Sequence, residues 1–230
     1  MRIYSQQHFT REFLPSLLAP ILKRNRFDAT VAVAKVPSVE ETRWLLELAS
    51  EYEWIRAVVG WADLDSPAVG EVLDEYQRHS KFRGLVWAGE LAPGMAELER
   101  RGLSLDLIGG DAGAIAASYP RLRMAVVRDG TAPVPALPEG AVLKLSGLIT
   151  GRAMQWKAAD FQGAVREALA RLGAGRVMYG SDWPAYLPEG TWKEALAAFT
   201  QAIGAQTMET REELLGGTAR RFYRIGDTEE

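Results

Sequence analysis

The feature that most constrains this chain is a repeated switch between two hydrophobic periods. Eight short runs rich in β-branched residues recur at Ile3–His8, Thr30–Lys35, Ile55–Trp61, Gly84–Ala88, Leu105–Ile108, Arg123–Arg128, Val142–Ser146 and Arg176–Tyr179. Helix-period segments separate most of them: Phe13–Arg24, Val39–Glu51, Pro67–His79, Met95–Arg101, Phe161–Leu172 and Trp192–Ile203, with a last helix over Arg211–Phe222. In Val39–Glu51 the residues Trp44, Leu45, Leu48 and Ala49 fall on one side, as an amphipathic helix requires. Strands alternating with helices bury a parallel sheet under its crossovers, and eight such units close into a (β/α)8 barrel, an α/β fold. One unit lacks its helix. Between the sixth and seventh strands, Asp129–Gly140 carries Pro133, Pro135 and Pro138, which remove backbone donors and forbid a regular helix.

No repeat, linker or low-complexity tract divides the sequence, so residues 1–230 read as a single domain. A net charge of −3, with basic residues scattered among acids, leaves no electrostatic footprint for nucleic acid. With no cysteine there is neither a disulfide framework nor a thiolate metal site, which fits a cytoplasmic location. No signal-peptide pattern or long uncharged apolar run is present, so neither secretion nor a membrane partner is expected. The chain has two histidines, His8 and His79, so any site built on three is excluded.

The motif richest in chemistry is Arg176–Pro184 (RVMYGSDWP), in which an apolar strand runs into a polar turn and delivers Asp182 at its carboxyl end. In a parallel barrel that edge is where the βα-loops converge on one pocket. With the strands placed, further segments fall into a family order: Met1–Phe9, Phe27–Val33, Glu41–Leu48, Val58–Leu64, His79–Gly84, Lys144–Leu148, Gly180–Pro184 and Leu215–Tyr223. Together they resemble the amidohydrolase-related (amidohydrolase family 2) barrel hydrolases, in the branch of the sugar and dicarboxylate lactonases. The resemblance runs from the first residues to the last. It implies a TIM barrel and lactonase-like hydrolysis.

The departures from the family pattern fall at the working end. Where the family's first strand carries Asp-x-His-x-His, this chain has Tyr4, Gln6 and His8. A fourth-strand histidine is replaced at or beside Trp87, and a sixth-strand Asp-His pair reads Val127-Arg128. His8 and Asp182 survive from that set. The chain is also short after the first, fourth and sixth strands, where family members carry loops over the pocket. Scaffold kept and ligands lost points to repurposing.

Strand alternation places Tyr4, Gln6 and His8 on one face of the first strand. His8 reads either as a metal ligand or as a hydrogen-bonded ring at the barrel mouth. Two surviving ligands and a neutral glutamine amide are too few for a tight site, so no metal and no other cofactor is expected. Asp182 reads either as a general base, a part the resemblance implies for metal-independent lactonases, or as a capping acid. Arg128, a permanent cation near the lost metal position, would either plug the site by pairing with Asp182 or hold an anionic substrate. Lys144 and Ser146 share a parity on the seventh strand and offer a cation and a hydroxyl. Trp61, Trp87 and Trp183 lie at strand ends, with Trp87 and Tyr4 as the expected wall.

These expectations assemble into a metal-independent enzyme acting on a small, anionic carbonyl compound. Asp182 and His8 would be catalytic, and Gln6, Tyr4, Trp87, Arg128, Lys144 and Ser146 would bind substrate. The reaction would be lactone or amide hydrolysis, or a repurposed cyclisation, isomerisation or decarboxylation. The alternative is a catalytically inactive barrel that binds a small molecule or a partner protein. A homo-oligomer in which a second subunit completes the site is the third reading.

Overall fold

The computed structural model describes residues 1–226. Eight parallel strands close into a barrel in sequence order: β1 (Ile3–Gln7), β2 (Ala29–Val33), β3 (Ile55–Gly60), β4 (Phe82–Trp87), β5 (Ser104–Ile108), β6 (Arg123–Arg128), β7 (Val142–Ser146) and β8 (Val177–Trp183). The outer layer is α1 (Pro15–Arg24), α2 (Val39–Glu51), α3 (Val69–Tyr76), α4 (Met95–Arg101), α5 (Ala112–Ser118), α6 (Ala159–Leu172) and α7 (Trp192–Ala202). The chain then finishes with α8 (Met208–Glu212), a wide turn over Glu213–Gly217 and α9 (Thr218–Phe222). No helix among the described residues is long and apolar enough to cross a membrane.

The segment between β6 and β7 is irregular, as its prolines require. The helix α5 was not anticipated. Its sequence, Ala-Gly-Ala-Ile-Ala-Ala-Ser, buries only Ala112 and Ile115 and so shows no broad apolar stripe. It starts because the Asp111 carboxylate accepts the backbone N–H groups of Gly113 and Ala114. The long final helix expected over Arg211–Phe222 is instead interrupted at Gly216. A Cβ there would lie 2.6 Å from the Met1 carbonyl oxygen and 2.7 Å from the Ile3 amide. Glycine lets the chain pass directly under the start of β1, and the helix gives way at that crossing.

Strand faces follow from packing. The Tyr4 ring meets Trp192 of α7 at 5.2 Å and Phe27 at 5.1 Å, and Tyr179 stacks on Phe199 of α7 at 4.6 Å. Both tyrosines therefore point outward, and their neighbours Ser5, Met178 and Gly180 point into the barrel. Strand register carries that parity round the sheet: Ser5 pairs with Val31, Val33 with Val59, Val59 with Gly84, Asp106 with Ala125, Val127 with Lys144, and Ser146 with Gly180. The interior is thus apolar on β2 and β3 and polar on β1, β5 and β7.

Low in the interior, the Lys144 ammonium donates to Asp106 Oδ2 at 2.7 Å and to the Tyr223 hydroxyl at 3.0 Å. The same hydroxyl donates to Asp106 at 2.8 Å. Lys144, Asp106 and Tyr223 are all fully enclosed. Tyr223 follows directly on α9, so the closing segment anchors the barrel's lower end by a side chain planted in its core.

Candidate active site

At the opposite end, β1 and β8 meet in a seam that breaks the strand pattern twice. The pairing of β1 with β2 and with β8 shifts between Ser5 and Gln7, so Gln6 is an extra residue. Its φ is +67°, and Asp182 across the seam has φ +65°. Neither is glycine, and left-handed backbone in such residues collects at functional sites. The bulge resets the parity of β1. Tyr4 points out and Gln7 pairs with the outward Trp183, while His8 returns to the interior beside Asp182.

His8 Nε2 lies 3.0 Å from Asp182 Oδ1, and His8 Nδ1 lies 2.8 Å from the Val33 carbonyl oxygen. That carbonyl can only accept, so Nδ1 carries a proton and the tautomer follows from this bond. The contact between Nε2 and Oδ1 then requires one further proton held between the pair. The other carboxylate oxygen, Oδ2, accepts from the Thr150 hydroxyl at 2.8 Å. Burial alone would raise the Asp182 carboxyl, but its bonds to His8 and Thr150 and the charge of Lys35 bring it below the usual carboxylate value. Asp182 is therefore an ionised, rigidly held acceptor.

Beneath this pair, Ser146 Oγ and Gln6 Oε1 are buried with no hydrogen-bond partner among the described residues. Gly180 lies between them. A Cβ at that position would come within 2.8 Å of Ser146 Oγ and 3.3 Å of Gln6 Cβ, so glycine keeps this floor open. Two unpartnered polar atoms on the floor of a barrel mouth are groups waiting for a ligand or water. A cleft of about 770 Å³ lies among the segments that follow β1, β2 and β8, lined by Thr10, Arg11, Phe13, Lys35, Pro184 and Leu187 among others; His8, Asp182, Gln6 and Ser146 are not among its lining residues. Its size suits one small ligand.

Four expected site residues are placed elsewhere. Tyr4 is enclosed between barrel and α7, its hydroxyl 3.4 Å from that of Tyr186, because the bulge reverses its face. Trp87 pairs with Leu107, off the inward parity, and its indole N–H donates to the Glu90 carbonyl at 3.0 Å. Arg128 pairs with Leu145, also off that parity, and its guanidinium donates to the Val127 carbonyl at 2.9 Å. Arg128 forms no ion pair with Asp182 and does not take the place of a metal charge. Lys144 does face inward, yet it sits one inward position, roughly 6–7 Å, below Ser146 and is consumed by Asp106 and Tyr223. His8, Asp182, Gln6 and Ser146 do come together.

Two residues that the sequence reading missed complete the group. Lys35 continues the inward parity of Val31 and Val33 two residues beyond the end of β2, and that period was the available signal. Thr150 lies in a turn after Gly147 with no period to reveal it. Gly147, at φ +72°, lets that turn fold over the carboxylate, since a Cβ there would lie 3.2 Å from Asp182 Oδ2.

A model of the amidohydrolase family matches residues 2–225. The chain belongs to the amidohydrolase family. An L-fucono-1,5-lactonase of Burkholderia ambifaria is 30% identical over 94% of this chain and 86% of its own. A second L-fucono-1,5-lactonase, from Burkholderia multivorans, is 29% identical over 98% and 96%. The crystal structure of an amidohydrolase from Burkholderia multivorans with bound HEPES superposes with a TM-score of 0.87, at 26% identity over 98% of this chain and 100% of that one. Another crystal form of that protein contains zinc, with a TM-score of 0.86. This amidohydrolase is thus a lactonase-like TIM barrel.

The family's metal is tested by the donor set. Among the described residues no three His, Cys, Asp or Glu side chains gather into a group. His8 and Asp182 offer two ligands, and each already spends its ligating atoms on hydrogen bonds. Gln6 adds a neutral amide oxygen. This set does not fit a tightly held zinc ion, which takes three or four histidine, thiolate or carboxylate ligands.

Proposed function

We propose that this amidohydrolase is a metal-independent lactonase acting on a small polyhydroxylated lactone such as a sugar 1,5-lactone. The observation that carries the reading is the ionised Asp182, fixed by His8 and Thr150 directly above two unpartnered buried polar atoms. The relatives named L-fucono-1,5-lactonase supply the substrate class.

Asp182 accepts a proton from water as the water oxygen attacks the lactone carbonyl. The ring C–O bond breaks, and the proton passes to the departing ring oxygen, leaving a hydroxy-carboxylate. His8, anchored to the Val33 carbonyl, holds the carboxylate in place and stabilises its charge. The Ser146 hydroxyl donates to the carbonyl oxygen as negative charge develops there. The Gln6 amide bonds a substrate hydroxyl from the position a histidine holds in the family pattern. Lys35 and Arg11 on the cleft wall favour the anionic product and any anionic substrate.

The test is hydrolysis of a panel of aldono-1,5-lactones, followed by acid release in the presence of a chelator. Turnover that survives chelation and is lost in Asp182→Asn is expected. A fully folded protein with no turnover across the panel would favour the inactive-barrel reading, and turnover restored only by added zinc would defeat metal independence.

A further inference from the structure

The face opposite the active site holds three arginines with no carboxylate partner among the described residues. Arg83 is the second residue of β4, Arg123 opens β6, and Arg224 follows α9. Strand order places β4 and β6 on either side of β5, and Gly102, just ahead of β5, is where two of the side chains meet. Arg123 Nη1 donates to the Gly102 carbonyl at 3.2 Å, and a Cβ on Gly102 would lie 3.5 Å from Arg224 Nη1. Among the described residues, no carboxylate lies within 4.0 Å of any of the three.

Two of their N–H groups are buried and unused: Arg83 Nε and Arg123 Nη2 have no hydrogen-bond partner among the described residues. Arg83 spends Nη1 on the carbonyls of Ser80 and Phe82, and the Arg123 guanidinium lies 5.3 Å over the Phe222 ring. The three guanidinium groups are close enough for their charges to act on one another. Burial and then the Arg224 charge push the Arg123 guanidinium down to about 10 and also lower Arg83. Some arginines elsewhere are paired with acids, as Arg43 is with Glu75 and Arg101 with Asp74. This cluster differs from those pairs in that its arginines lie near one another and two of their donors are buried and unpartnered.

Like charges gathered beside orphaned donors are unfavourable unless something shares them. A planar guanidinium fork matches the oxygens of a phosphoryl group, and three forks match a multiply charged one. We propose that Arg83, Arg123 and Arg224 form a binding site for a phosphoryl-type oxyanion on the lower mouth of the barrel. The bound anion ties the segment after α9 to β4 and β6. It also neutralises the charges around the end that Tyr223 closes. The site is independent of the lactone chemistry.

The experiment titrates inorganic pyrophosphate and glycerol 3-phosphate into the full chain by calorimetry, with sodium chloride at matched ionic strength as control. Saturable binding with a rise in melting temperature of several degrees is expected, weakened at least tenfold in Arg224→Gln and in Arg123→Gln. Arg224 is exposed, so its variant keeps the fold, and circular dichroism checks the other. Binding of pyrophosphate alone assigns a free oxyanion, and binding of both assigns the phosphoryl group of a metabolite. Equal responses in wild type and Arg224→Gln, or a chloride response as large, would overturn the proposal. So would binding that emerges only after Asp227, Glu229 and Glu230 are neutralised, since the cluster's partner would then be the chain's own acidic residues.

Discussion

His8 and Asp182, 174 positions apart in sequence, share a 3.0 Å contact across the seam where the barrel closes. The contact exists because β1 gains one residue at Gln6 and β8 turns through left-handed backbone at Asp182. Each irregularity aims one partner at the other.

Asp182→Asn should lower lactone turnover by about 10²- to 10⁴-fold, the range for loss of a general base. Asparagine tolerates left-handed backbone and keeps an acceptor for Thr150, so the fold should persist. Progress curves with near-unchanged circular dichroism check this, and full activity in the variant would remove Asp182 from the reaction.

The same carboxylate sets a pH dependence. Its folded value lies below the ordinary 3.8, so its stabilising effect is whole above 3.8 and is lost as pH falls through the lower folded value. Urea melts of wild type and Asp182→Asn should differ most near neutrality and converge on acidification below 3.8. A gap that widens in acid would reverse the sign and the argument.

Gly180→Ala should cost about 1–3 kcal/mol as an overpacking change, since the new methyl lies 2.9 Å from Ser146 Cβ. It should also close the floor of the site. Thermal unfolding and substrate affinity are measured together, and a fall in both is expected.

Lys144→Met should be the harsher change. It leaves Asp106 buried with the Tyr223 hydroxyl as its remaining partner, and breaking such a pair costs about 3–5 kcal/mol. Lys144→Met combined with Asp106→Leu should recover much of the loss, because no uncompensated charge remains. Denaturant unfolding of the single and double variants decides this.

The barrel was legible because its information is periodic. β6, β7, α2 and α4 fall where the apolar spacing puts them, and the three prolines after Asp129 correctly removed a helix. The site was less legible because it depends on faces, and a face turns over with one residue. Arg128 and Trp87 are chemically suggestive, yet each stands one position off the inward parity. Tyr4 was misplaced by a bulge whose left-handed residue is glutamine, which gives no warning that glycine would have given. Lys144 was read with the correct face but without its buried partners, which come from β5 and from the far side of α9.

Sequential strand order carries a cost in time. β2 can pair with β1 as soon as it is made, but the other edge of β1 waits for β8, more than 170 positions later. Until then a growing chain presents two unpaired strand edges and an interior holding Asp106 and Lys144 without Tyr223. Exposed edges and half-built polar cores are where nascent chains stick to one another. Tyr223 lies beyond β8 in the chain, so the last partner of Asp106 and Lys144 is made only after the strand that removes the sheet's edges.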